Sequence, residues 1–75
     1  MKLCGEVVTF NPTNKVVDNI NTYINELDKV YIVDNSINDN SKMFTNKKMN
    51  YLSNGKNMGI AYALNKGISM AKGDK

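Results

Sequence analysis

Val30-Tyr31-Ile32-Val33-Asp34-Asn35-Ser36 sets four consecutive apolar residues against a carboxylate and two small polar side chains. Valine, isoleucine and tyrosine favour strands, and a short unbroken apolar run reads as a strand buried on both faces, the usual state in a parallel sheet. Proteins with such sheets bind their ligands beyond the carboxyl ends of the strands. Asp34, where the run stops, is therefore the first candidate functional residue.

Working outward from this strand, the preceding segment changes period. Between Lys15 and Leu27, Val16, Val17, Ile20, Tyr23, Ile24 and Leu27 recur at steps of three and four, which predicts one amphipathic helix. Asn11-Pro12-Thr13-Asn14 opens it, with Thr13 or Asn14 able to cap free backbone N–H groups. Leu3 to Phe10 reads as a first strand. Glu6 within it would be costly to bury unpaired and is expected near the strand's solvent end. Cys4 sits in an apolar stretch and reads as a buried, inert thiol.

Beyond Ser36 the chain is polar to Asn46, with Met43 and Phe44 as core contributors and a short helix expected around Asn38 to Thr45. Met49 to Leu52 alternates as a third strand would, and Ser53 to Asn57 is a loop by composition. A last helix is expected from Asn57 or Met58, with Ile60, Ala61, Leu64, Ile68 and Ala71 as its apolar stripe. Gly67 inside it costs roughly 1 kcal/mol of helix propensity relative to alanine, which either close packing there or simple drift accounts for. Gly73 is a reasonable stop. Asn65 borders the stripe and is expected to find structural partners.

This β-α-β-(α)-β-α order implies an α/β fold, three layers α-β-α around a small parallel sheet with right-handed crossovers. Residues 1–75 are expected to form a single partial domain, the amino-terminal piece of something larger. Three strands leave two sheet edges open, so the alternative is a small module that self-associates through them.

Composition removes several functions. All ten basic residues are lysines, the formal charge is +3, and the lysines are dispersed along the chain. A nucleic-acid module clusters its cations and interleaves exposed aromatics, so none is expected as a partner. With no histidine and one cysteine there is no internal disulfide, no zinc site and no imidazole base. No run approaches the roughly 20 apolar residues of a membrane span, and a charge falls where a leader needs its apolar stretch. A cytoplasmic location is the expectation. Met43, Met49, Met58 and Met70 read as core fill.

The turn after the first strand, Thr9-Phe10-Asn11-Pro12, has no glycine. It matches neither the G-x-G-x-x-G of dinucleotide folds nor the phosphate loop G-x-x-x-x-G-K-[ST]. Three segments instead resemble the amino-terminal part of a family 2 glycosyltransferase of GT-A fold, of the bacterial rhamnosyltransferase type. These are Val7-Val8-Thr9-Phe10-Asn11-Pro12, Val33-Asp34-Asn35-Ser36, and Asn57 through Ile68.

The resemblance implies a Rossmann-like, nucleotide-binding half of the enzyme. It places Thr9, Phe10 and Asn11 around the nucleobase, Phe10 standing where tyrosine is commoner, and it assigns Asp34 a hydrogen bond to the base. Asn57 and Gly59 would line the nucleotide pocket, with Ala63 and Asn65 behind them. Leu64 stands where many relatives have an arginine, so no charged phosphate contact is implied from that helix. The metal-binding D-x-D of the family is absent from these residues. A divalent cation, Mg²⁺ or Mn²⁺, is thus expected in the full-length parent and not in this segment, which is expected to be inactive alone. The implied partner is a UDP- or dTDP-sugar, and the parent would work in the cytoplasm or at the inner membrane face.

Read from the residues alone, the same positions have structural uses. Asp34 can cap the following turn as an Asx residue. Phe10 can fill the core. Asn57 can be a helix N-cap, and Gly59 can serve a tight turn or admit a ligand to the helix's positive end.

Overall fold

A computed structural model describes residues 3–73. Lys2 and Lys75, counted among the dispersed lysines, lie outside the described residues, as do Met1 and Asp74. Three parallel strands, β1 (Cys4–Thr9), β2 (Lys29–Asp34) and β3 (Met49–Ser53), form one sheet in the order β1-β2-β3. The register pairs Thr9 with Asp34 and Asp34 with Ser53, so the three carboxyl ends lie level.

β2 is the central strand, and Val30, Tyr31, Ile32 and Val33 are all within 2 % of complete burial. Side chains alternate across a strand, so Val30 and Ile32 enter one layer while Tyr31 and Val33 enter the other. The first layer holds helix α1 (Asn14–Asn21) and the 3₁₀ turn Ile24–Glu26. Ile20 and Ile24 pack there on Val30, Ile32 and Phe44. The second layer is helix α2 (Ile60–Gly73), which contacts β1 and β2. The three-layer α-β-α architecture expected from the sequence is therefore present.

Several boundaries differ from expectation, each for a local reason. The helix expected to reach Leu27 ends at Asn21, where the Thr22 hydroxyl donates to the Asn19 carbonyl at 2.6 Å. Asn19, Asn21, Thr22 and Asn25 are weak helix formers that compete for backbone groups in this way. Only a 3₁₀ turn at Ser41–Met43 forms in the loop after β2. Side chains satisfy the backbone there: Asp39 Oδ1 accepts from Ser41 N, and Tyr51 Oη from Asn40 N. Thr13 is the cap of α1, accepting from Lys15 N.

Helix α2 begins at Ile60, later than expected, because Gly59 sits at φ +84°. Its orientation also differs. Ile60, Leu64 and Ile68 are exposed, whereas Ala63 and Gly67 are buried against the sheet. Small residues bring the helix axis close: a Cβ on Gly67 would overlap the Glu6 carboxylate. Glu6 thus lies mid-strand and half-buried under α2, not at the strand's solvent end. Burial pushes its carboxyl pKa up. Asn65 is exposed, without the structural partners expected of it, and Cys4 is exposed rather than buried.

Candidate functional site at the carboxyl ends of the strands

Asp34 ends β2 with no solvent exposure. Its Oδ1 accepts from the Ser36 amide at 2.9 Å and the Ser36 hydroxyl at 2.5 Å. Its Oδ2 accepts from the Tyr51 hydroxyl at 2.5 Å and Asn40 Nδ2 at 2.9 Å. The Asx turn available to this residue is therefore made, together with two long-range bonds. Burial pushes the Asp34 carboxyl up, but the bonds from Ser36, Tyr51 and Asn40 outweigh burial and hold its pKa below the usual aspartate value. The Tyr51 phenol moves the other way, raised by burial and by its bond to Asp34.

The network reaches the loop after β1 through Ser36, whose Oγ accepts from Asn11 N at 2.6 Å. Asn11 sits at φ +46°, a left-handed conformation that asparagine tolerates better than most side chains. Phe10, just before it, is 57 % exposed and so is not core fill. Thr9 is buried, and its carbonyl accepts from Asn35 N at 2.8 Å.

Asn35 joins the third segment. Its Oδ1 accepts from Asn54 Nδ2 at 2.8 Å and Met58 N at 3.4 Å, and its Nδ2 donates to the Gly59 carbonyl at 3.3 Å. Asn57 does not cap the helix start directly. Its Oδ1 accepts from Gly59 N at 2.9 Å, shaping the turn that precedes Ile60.

The structure thus links Thr9, Asn11, Asp34 and Gly59 by hydrogen bonds across three separate segments. Phe10 and Asn57 lie beside them in sequence and are exposed residues. Asn35, Ser36, Asn40 and Tyr51 complete the arrangement; Asn35 and Ser36 lie in a segment that carries the resemblance but have no role assigned to them, and nothing in the sequence marks Asn40 or Tyr51. Asn40 is one of thirteen asparagines, and nothing in the sequence sets it apart. Tyr51 is visible only as one member of an alternating strand. Two surface grooves flank β1, one between it and α1 and one between it and α2, and neither is lined by Asp34. Among the described residues no group of three or more His, Cys, Asp or Glu side chains is placed to hold a metal ion. Among them no helix is long and apolar enough to cross a membrane.

What the fold and site define is an α/β segment whose chemistry-bearing residues gather at the carboxyl end of a parallel sheet. A sequence model of glycosyl transferase family 2 matches residues 7–74, nearly all of the chain, and the protein belongs to that family. No curated protein and no solved structure matches it.

Proposed function

We propose that this chain is the nucleotide-binding segment of a glycosyltransferase that moves a sugar from a UDP- or dTDP-sugar to an acceptor, with a rhamnosyltransferase-like specificity. The observation that carries the reading is the meeting of the Thr9–Asn11, Asp34–Ser36 and Asn57–Gly59 segments at one end of the sheet. A uracil or thymine ring offers an imide N–H, for which a carboxylate is a strong acceptor. Asp34 takes that role, and Phe10, exposed on the loop after β1, lies along the ring.

Transfer itself belongs to the longer parent, in which the segment works in the cytoplasm or at the inner membrane face. A divalent cation is a Lewis acid for a diphosphate leaving group. The carboxylates of the described residues do not form a site for one. This segment alone binds nucleotide and is inactive.

Isothermal titration of the chain with UDP, dTDP and ADP tests the reading. Tighter binding of the two pyrimidine nucleotides, weakened in Phe10→Ala, is the expected result. Equal binding of ADP, or an unchanged Phe10→Ala variant, overturns the base site. Phe10 is chosen because its exposure makes the substitution harmless to folding.

A second reading, self-association, is favoured by one feature: Ile60, Leu64 and Ile68 are exposed on α2 beside β1, a strand that among the described residues pairs with β2 alone. Sedimentation of a nucleotide-free chain as a dimer at micromolar concentration supports it, and a monomer throughout excludes it.

A further inference from the structure

Asp34 has about four acceptor positions on its two oxygens. Ser36 N, Ser36 Oγ, Tyr51 Oη and Asn40 Nδ2 fill them, and the residue has no solvent exposure. An imide N–H arriving from a nucleobase therefore finds no vacant acceptor. It must replace one of the four donors.

The four are not equally replaceable. Ser36 N is fixed by the turn two residues away, and Ser36 Oγ is buried and also holds Asn11 N. Tyr51 is stacked on Phe44 with ring centroids 5.3 Å apart, and its oxygen accepts from Asn40 N. The Asn40 amide differs from these. It is partly exposed, follows three exposed residues, Ile37, Asn38 and Asp39, and already has a second acceptor in the Asn38 carbonyl at 3.1 Å. A rotation of its side chain releases Oδ2 while the backbone bond to Tyr51 stays. It also presents the same kind of donor as an imide, an N–H polarised by a carbonyl.

Building on the reading of Asp34 as the base acceptor, we propose that Asn40 holds the nucleobase's place on Asp34 Oδ2 in the free chain and is exchanged for the base's imide N–H on binding. Asn40 is then a specificity residue. Binding must return a ring N–H to Oδ2, which uracil and thymine supply and which adenine, whose ring nitrogen at the corresponding position is an acceptor, does not.

The test is titration of Asn40→Ala and the native chain with UDP, alongside the side-chain amide resonances of Asn40 in ¹⁵N-correlated NMR spectra. The expected result is UDP binding about 2- to 10-fold tighter in the variant, the size of one relieved hydrogen bond. In the native chain, UDP shifts the Asn40 amide resonance and ADP leaves it in place. A purely structural Asn40 predicts the reverse, weaker binding on truncation. Unchanged or weaker UDP binding in Asn40→Ala, or an amide resonance indifferent to UDP, overturns the exchange. If UDP still exceeds ADP and Phe10→Ala still weakens it, the base site survives that failure. Equal UDP and ADP binding removes the base site and the exchange together. The NMR arm uses the native chain and does not depend on the variant folding.

Discussion

The Tyr51 hydroxyl donates to Asp34 Oδ2 at 2.5 Å, joining β3 to the end of β2 across 17 residues of sequence. The same oxygen accepts from Asn40 N at 2.8 Å, so one phenol settles both a buried carboxylate and the loop that follows it. Tyr51→Phe keeps the stacking on Phe44 but leaves one carboxylate lone pair and one backbone N–H without partners. Leaving buried polar groups unpaired costs about 1–3 kcal/mol. Urea unfolding is expected to show a loss in that range with an unchanged slope. A loss below about 0.5 kcal/mol, the net worth of a weak exchangeable bond, would contradict the tie.

Acid should attack the same carboxylate. The native pKa of Asp34 lies below its ordinary value because its hydrogen bonds outweigh burial. A carboxylate depressed on folding adds stability above its unfolded pKa, near 4, and loses that contribution as pH falls through the lower native value. Stability of the native chain is therefore expected to drop steeply below about pH 4. Asp34→Asn should be less stable at neutral pH, because its amide cannot accept four bonds, and should show a shallower acid limb. Parallel acid limbs in the two proteins would remove Asp34 as the source.

Much of this arrangement was legible in advance. Val30 to Val33 read as a doubly buried strand because four apolar residues leave no polar face to wet, and the structure buries all four. Asp34 stands out in the sequence because α/β proteins place their ligands beyond the carboxyl ends of such strands, and the structure sets it at the end of β2. The partners themselves were not legible. Tyr51 and Asn40 reach Asp34 through tertiary placement, and no spacing in the sequence encodes it. The face of α2 differs from expectation because hydrophobicity points to Ile60, Leu64 and Ile68, whereas close approach selects Ala63 and Gly67. Size decided the packing there, and hydropathy did not.

At Gly59 a side chain would meet backbone strain without crowding. At φ +84° a side chain is disfavoured, yet a Cβ at this position meets nothing within 4 Å. Gly59→Ala is thus expected to cost about 1–2 kcal/mol, the penalty of a left-handed L-residue, with no steric contribution. The Gly59 carbonyl accepts from both Asn35 Nδ2 and Ala63 N, so relaxation of the turn should loosen the start of α2. Hydrogen exchange at Ala63 is expected to accelerate in the variant. Unaltered exchange together with unaltered stability would show that the turn tolerates a side chain.

Gly67 and Glu6 form the opposite case, crowding without strain. A Cβ on Gly67 would overlap the Glu6 carboxylate and crowd its Cγ, so the whole side chain must shift. Gly67→Ala gains roughly 1 kcal/mol of helix propensity and loses more than that to the displaced side chain, since overpacking typically costs 1–3 kcal/mol. In a Glu6→Ala background the clash disappears and only the helix gain remains. The same substitution should then stabilise, by up to about 1 kcal/mol. Glu6→Gln separates charge from size. The native carboxyl is raised by burial, so its favourable contribution is present at low pH and lost as pH rises through the raised native value. At neutral pH the glutamine variant should therefore be the more stable protein, with the difference closing in acid. A double-mutant cycle by thermal or urea unfolding measures the pair. A coupling between positions 6 and 67 within about 0.5 kcal/mol of zero would show that α2 does not rest on Glu6.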